Sequence, residues 1–313
     1  MALVRDLASW QALDWTADLG GVTPITGTVT RTDVWSRHAA LEGLRAIVHL
    51  AALVRHTRRG AREVYHTNVD GTLAMVRLAA AHRCRLVFVS TSGTVGCFPR
   101  PGLTADEDAP LCEAEVRRWP YYHSKVQAER QARDLAAAEG VDLVVVRPPV
   151  LLGPGDHRFR STAHLVRYAR GRLPFLVPGG MHFADVRDAA AAVARAALAP
   201  SVRPVYHLTG TICTIAEFFA LAERVSGFPA PRRIISPRVA WWLATLFAPL
   251  HLVPDPVVVE LASHYWSTSS RYAEHDLEYR SRDGHETLAD TIGWLRRHHP
   301  ALATAAGAHH PPG

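Results

Sequence analysis

Six short runs of apolar residues, at positions 2–5, 24–26, 46–50, 85–90, 142–147 and 204–208, alternate with segments whose apolar residues recur at helical spacing. No other feature restricts the fold as much. Strands that are apolar on both sides of the pleat need cover on both faces, and crossover helices supply that cover in a parallel sheet. Segment 61–82 spaces Val64, Val69, Leu73, Val76 and Leu78 for a buried helix face. A second helix is predicted over 121–139, with Gly140 as its stop signal. After Pro148 the pattern loosens into Gly- and Pro-bearing segments mixed with short helices. The chain is therefore predicted to be α/β. A doubly wound parallel sheet fills residues 1–150, a smaller mixed substrate lobe with returning core elements fills 151–300, and a disordered tail follows over 301–313. No internal repeat is evident.

Bulk properties narrow the function. A chain of 313 residues can form one large domain, or one domain with a lobe. The net charge of +6 is spread along the sequence, and basic pairs such as Arg58-Arg59 and Arg232-Arg233 are not interleaved with aromatics. No nucleic-acid partner is expected. Cys84, Cys97, Cys112 and Cys213 form no CxxC pair and read as free thiols in a reducing cytosol. Despite 18 histidines, no metal-ligand spacing falls on a predicted helix, so no metal site is expected. His298-His299 and His309-His310 read as solvated tail residues. Met1 is followed by a strand-like run and a polar amphipathic segment, which is not the pattern of a secretory leader. The apolar stretch 239–253 holds Thr245, Pro249 and His251 and is too short to span a bilayer. It reads as a lobe helix, with a membrane-surface helix as the alternative. A cytoplasmic protein is expected.

The chemistry concentrates where the second helix opens, at Tyr121-Tyr122-His123-Ser124-Lys125. Residues four apart share a helix face, so Tyr121 and Lys125 project together. A phenol is a poor proton carrier near neutrality because its reference pKa is about 10. A neighbouring ammonium is expected to favour the phenolate and bring Tyr121 toward useful acid–base range. Alone, Tyr-x-x-x-Lys is also what an exposed helix face shows. Its context is the run Val87-Phe88-Val89-Ser90-Thr91-Ser92-Gly93, a buried strand ending in small hydroxyl residues. Ligands of open α/β sheets bind at the carboxyl ends of strands, so Ser92 is placed to bond a substrate oxygen while Tyr121 moves its proton.

These elements resemble the catalytic parts of extended short-chain dehydrogenases/reductases, the epimerase/dehydratase type. His49-Leu50-Ala51-Ala52 is similar to that family's cofactor-lining His-x-Ala-Ala segment, and Asn68-Val69-Asp70-Gly71-Thr72 to its Asn-Val-x-Gly-Thr. Arg147-Pro148-Pro149 and the loop from Leu152 to Asp156 resemble the segment running past the nicotinamide. Phe183 to Asp188 and Glu286 to Leu295 resemble the core–lobe junction and the terminal helix. Similarity covers nearly the whole chain, nearest to dihydroflavonol-reductase-like and hopanoid-associated sugar-epimerase-like members. The resemblance implies a Rossmann-like fold and an NAD(P) cofactor. Ser92, Tyr121, Lys125 and Asn68 are the implied catalytic residues, with Asn68 in the structural and proton-relay position. Arg5, Thr28, Val29, Leu50, Ala51, Ala52, Thr91, Pro148 and Val150 are implied to line the cofactor beside Tyr121 and Lys125.

One part of the family pattern is not in this sequence. Members open with a strand and Gly-x-x-Gly-x-x-Gly, whose glycines let the backbone approach the pyrophosphate at a helix N-terminus. Here Ala2-Leu3-Val4-Arg5 resembles the second strand, and Gly20-Gly21 sits in a loop. In the doubly wound order the first strand stands between the second and fourth, so two buried strand edges are expected to lack partners. Three readings follow: a longer true protein, a cofactor-free relative kept for binding, or a partner that supplies the strand. The intact Ser92, Tyr121 and Lys125 favour the first. Thr28 also departs from the family, which commonly has an adenine-contacting Asp there.

The expected reaction is hydride transfer between a nicotinamide cofactor and a ketone or secondary alcohol. Arg5 follows the strand that reads the adenosine ribose, where a cation suits a 2′-phosphate, so NADP is preferred over NAD. A nucleotide-sugar epimerase or dehydratase is the alternative, with Arg158, Arg160, Arg167 and Arg172 as cations for a substrate pyrophosphate. Gly93, where a dehydratase would place a carboxylate beside the serine, argues against that branch. A non-catalytic scaffold on the same fold is the reading from a different class. A homodimer is expected by analogy.

Overall fold

A computed structural model describes residues 1–16, 19–248 and 253–303. Its strands are β1 (Ala2–Val4), β2 (Pro24–Thr26), β3 (Ala46–His49), β4 (Arg85–Val89), β5 (Cys97–Phe98), β6 (Leu143–Arg147), β7 (Val150–Leu152), β8 (Gly180–Asp185), β9 (Val205–His207), β10 (Thr211–Thr214) and β11 (Tyr265–Trp266). The six apolar runs all form strands, within a residue or two of their expected bounds. A parallel sheet of order β3-β4-β6-β9 stands at the centre, with Val87 opposite both Val48 and Val144. Leu86, Val87, Phe88 and Val144 to Val146 are completely buried, as continuous apolar runs require when helices cover both faces. The fold is α/β and Rossmann-like, as expected.

The sheet is split. β1 and β2 pair in parallel as a separate unit, and among the described residues no ladder joins β1 to β3. The expectation of unpaired edges holds, and these edges are only partly buried. All three β1 residues are half-buried and Val48 of β3 is 39% exposed, so water can satisfy their backbone groups. Packing joins the two units instead. Ile25, Val29, Trp35 and Leu41 share one apolar cluster with Met75, Val76, Leu86 and Ala132.

The long helix expected over 61–82 forms, but with a change of winding. Ala61–Tyr65 is α-helical, His66–Asp70 is a π turn, and Gly71–His82 is α-helical again. The second helix spans Pro120–Glu139, with proline pre-set at its first position and Gly140 left-handed (φ 66°) at its end. A three-stranded sheet, β10-β8-β7, lies beyond the core, where Leu152, Leu165, Phe183, Phe218, Leu288 and Trp294 pack together. The segment expected to fray from Ala301 instead opens within a short helix, Pro300–Ala303, that buries Leu302. The rest of that tail, with His309-His310, lies outside the described residues, as do Pro249 and His251. No helix of the described residues is long and apolar enough to cross a membrane.

Candidate functional site

The site forms where β4 and β6 end against the first turn of the Pro120–Glu139 helix. Ser92 opens a 3-10 turn just past β4 and is 4% exposed. Its backbone N–H donates to the Pro148 carbonyl at 2.8 Å, which pins it to the end of β6. The Lys125 ammonium, 2% exposed, donates to the Val89 carbonyl at 2.8 Å and lies 4.4 Å over the Phe88 ring. Tyr121 shares its helix face, and Tyr122 packs over Gly93, next to Ser92. A Cβ at Gly93 would come within 2.3 Å of the Tyr122 ring.

The electrostatics differ from the expectation. Burial raises the Tyr121 phenol to about 12, and no nearby charge offsets it. Burial also pulls Lys125 down to about 7, against the upward pull of Glu129. The ammonium therefore does not bring Tyr121 toward the phenolate in this state. Desolvation disfavours charge on both groups. At neutral pH the phenol keeps its proton.

Asn68 lies in the π turn, 1% exposed. Its Oδ1 accepts from the Leu53 N–H at 2.7 Å, while its Nδ2 donates to the Leu53 carbonyl at 3.2 Å and to Ser124 Oγ at 2.9 Å. One amide thus holds the loop after β3 and the helix between Tyr121 and Lys125. The π winding supplies the extra residue that aims it, a common use of such bulges. Beside it, Thr72 donates to the Asn68 carbonyl at 2.6 Å and lies 3.0 Å from His49 Nε2.

Beneath the site lies a buried ionic group that the sequence reading did not single out. Glu129, with no exposed surface, accepts from Ser90 Oγ at 3.1 Å, Thr94 Oγ1 at 3.3 Å, Arg133 at 2.9 Å and Arg147. Burial pushes this carboxyl upward, but the two guanidinium groups outweigh it and hold it below the usual carboxylate range. Arg147 also donates to His207 Nε2 at 3.0 Å. Because a guanidinium only donates, His207 must carry its proton on Nδ1, which faces the Ser269 carbonyl at 3.1 Å. The recoverable signal was spacing: Tyr121, Lys125 and Glu129 recur every four residues on one helix face.

Two further neighbours were missed. His182 of β8, 2% exposed, places Nε2 2.8 Å from Ser92 Oγ. His56 packs edge-on against Tyr121, with centroids 5.8 Å apart, and stacks on Tyr122 at 6.2 Å, which in turn stacks on Trp266 at 5.0 Å. These rings build an aromatic wall beside the phenol.

The residues matched to the cofactor fall in two groups. Leu50 and Ala51 are exposed past β3, Thr91 and Pro148 follow the ends of β4 and β6, and Val150 opens β7. Together with Lys125 they ring the carboxyl edge of the central sheet, and half-buried Ala52 continues the loop. Arg5, Thr28 and Val29 belong instead to the β1–β2 unit. Arg5 is exposed, while Asp6 spends its carboxylate capping the Leu7–Gln11 helix through the Ser9 N–H at 2.7 Å. Val29 is buried, and a Cβ on Gly71 would come within 2.7 Å of its side chain, so Val29 is a packing residue in this structure.

Comparison with known proteins bears on this arrangement. The model of the NAD dependent epimerase/dehydratase family matches residues 5–208. Sterol demethylase protein B of Methylococcus capsulatus is 32% identical over 214 residues, covering 67% of this chain and 64% of that protein. The putative dihydroflavonol 4-reductase of Synechocystis sp. is 28% identical over 293 residues, covering 88% of this chain and 83% of that protein. DesIV, a dTDP-glucose 4,6-dehydratase from Streptomyces venezuelae solved with NAD and TYD bound, superposes with a TM-score of 0.72 at 22% identity, over 93% of this chain and 84% of that one. At that identity the last likeness concerns fold alone. With the matched span covering more than half of the sequence and its serine, tyrosine and lysine gathered at one sheet edge, the chain belongs to the NAD-dependent epimerase/dehydratase family of extended short-chain dehydrogenases/reductases.

Proposed function

We propose that this protein reduces a ketone to a secondary alcohol with a nicotinamide cofactor, using Ser92, Tyr121 and Lys125. The observation that carries the reading is geometric: the Ser92 turn, held to Pro148, meets the first turn of the helix that carries Tyr121 and the buried Lys125, where β4 and β6 end. A group that keeps its proton at neutral pH is set to give it to an oxygen that gains charge, as a carbonyl oxygen does when hydride reaches its carbon. Tyr121 gives that proton, Ser92 orients the oxygen, and Asn68 fixes the helix turn that carries both Tyr121 and Lys125.

The nicotinamide half of a cofactor fits the residues present. Leu50 and Val150, 67% and 36% exposed, leave apolar surface uncovered that a flat ring could bury. Lys125 would hold the ribose, with Ala51, Ala52, Thr91 and Pro148 along the same edge. Arg5, exposed past β1, would meet a 2′-phosphate and favour NADP, with Thr28 toward the adenine. When bound, the reduced cofactor supplies the hydride. Residues 1–150 would hold the cofactor and 151–300 would cover the substrate.

Gly93 favours a reductase over a dehydratase. The carboxylate a dehydratase would carry there has no room, because the Tyr122 ring fills the space. A sugar epimerase remains the second reading, and one observation favours it: the charge of Arg160 reaches His56, which packs on Tyr121. A substrate phosphate near that arginine would be close to the reacting centre.

The test is turnover of a panel of ketones and nucleotide sugars with NADPH and NADH, followed by loss of reduced-nicotinamide absorbance. Ketone-dependent oxidation that falls by about 100-fold or more in Tyr121→Phe is expected. Epimerisation of a nucleotide sugar without net cofactor consumption would favour the second reading.

A further inference from the structure

We propose that His182 is a positioning residue that fixes Ser92 as a hydrogen-bond donor to the substrate oxygen. The inference deepens the reductase reading and rests on it for the identity of that oxygen; the His182–Ser92 pairing itself does not depend on it.

The two side chains meet in a closed place. His182 sits in β8, flanked by β7 and β10, and only 2% of it is exposed; Ser92 is 4% exposed. Nε2 of the ring lies 2.8 Å from Ser92 Oγ. The other nitrogen, Nδ1, is buried without a hydrogen-bond partner. Burial lowers the ring to about 3, so it is neutral at working pH and carries one N–H.

Only two arrangements of that proton exist. With the proton on Nδ1, a buried donor goes unpaired and Nε2 must accept from the serine. The serine proton is then committed to the histidine, and Ser92 can only accept from a substrate. With the proton on Nε2, the ring donates to Ser92 Oγ and Nδ1 keeps a bare lone pair. Buried orphan donors are rarer than under-satisfied acceptors, so the second arrangement is the cheaper one. It frees the serine proton. The chain of donation then runs from His182 Nε2–H to Ser92 Oγ–H to the substrate oxygen, in one direction.

That polarity suits the reaction. A ketone oxygen only accepts, and it gains charge as hydride arrives. Two neutral donors, Tyr121 and Ser92, would then converge on it, and neither requires a charge in this desolvated pocket. A serine committed to the histidine would instead have to accept from the substrate, which suits binding of an alcohol.

The arrangement can be read directly. In protein labelled with 15N-histidine, long-range proton–nitrogen correlation spectra assigned with His182→Gln report which ring nitrogen is protonated. The inference expects a protonated Nε2 and an unprotonated Nδ1; the reverse would overturn it. Activity supplies a second readout. The glutamine amide can place an N–H donor near the position of Nε2, whereas leucine cannot. His182→Leu is therefore expected to lower kcat by about tenfold to a hundredfold with little change in the cofactor KM, and His182→Gln to recover most of the loss. If the two folded variants are equally impaired, the positioning role is wrong. Absence of ketone turnover by the unaltered protein would count against the reductase reading alone, because the NMR result still decides the His182 tautomer.

Discussion

Asn68 Nδ2 donates to Ser124 Oγ at 2.9 Å, and through this bond the π turn holds the helix between Tyr121 and Lys125. Ser124 Oγ in turn donates to the Tyr121 carbonyl at 2.6 Å. Replacing Asn68 by alanine would leave both polar groups of Leu53 without this side-chain partner inside the protein. A loss of about 1–3 kcal/mol in urea-unfolding stability is expected. Turnover should fall further than stability alone explains, with kcat reduced more than KM, because the reacting phenol loses its fixed position. Asn68→Asp should fail as well, since an ionised carboxylate cannot donate to Ser124.

Glu129 and Arg147 should be intolerant of single replacement. Both are buried: removing Glu129 leaves Arg147 without a carboxylate, and removing Arg147 leaves Glu129 with Arg133 alone. Glu129→Ala is expected to cost about 3–5 kcal/mol, measured by calorimetry or denaturant titration. Glu129→Gln combined with Arg147→Met should be less damaging than the sum of the two single changes, because the pair is lost together.

Stability should decline steeply in mild acid. Burial holds His49, His182 and His207 near 3 and His164 near 4, against an ordinary value of 6.5. Between those values and 6.5 the unfolded chain binds more protons than the folded one, so unfolding becomes easier as pH falls through that window. Each histidine can contribute at most about 1.4 kcal/mol per pH unit. Lys125 acts with the same sign at higher pH. It is near 7 when folded against 10.5, so its contribution rises as pH climbs from 7 toward 10.5. Equilibrium unfolding across the range checks both, and Lys125→Met should remove the alkaline part.

Gly93 should not accept a side chain. A Cβ there would lie 2.3 Å from the Tyr122 ring, which is itself stacked on Trp266. Gly93→Ala is expected to displace Tyr122 and lower activity, and Tyr122→Ala in the same chain should relieve part of the defect. Equal loss in the single and double variants would show that the clash is not the cause.

The central sheet was legible because its strands are buried on both faces, which leaves an unbroken apolar signature in β3, β4, β6 and β9. The lobe was less so. β8 reads Gly-Met-His-Phe-Ala-Asp, and its polar His182 and Asp185 are as buried as Phe183. Pairing across space conceals that in one dimension: His182 meets Ser92, ninety positions away, and Asp185 meets Arg187 and caps the following helix. The Tyr-x-x-x-Lys spacing placed Tyr121 and Lys125 correctly on one face. It did not show that burial would push the two groups apart in pKa, because desolvation depends on neighbours far along the chain. The π turn under Asn68 was invisible for a related reason, as residues 61–82 carry a helical pattern that does not register a single extra residue.

The most direct measurement is a titration of NADPH and of NADH into the purified protein, followed through quenching of its tryptophans. Saturable binding to a cooperatively folded chain is expected, tighter for NADPH, and lost when Tyr121→Phe is combined with Lys125→Ala. A stable, folded protein that binds neither cofactor would contradict it and leave a non-catalytic scaffold on this fold.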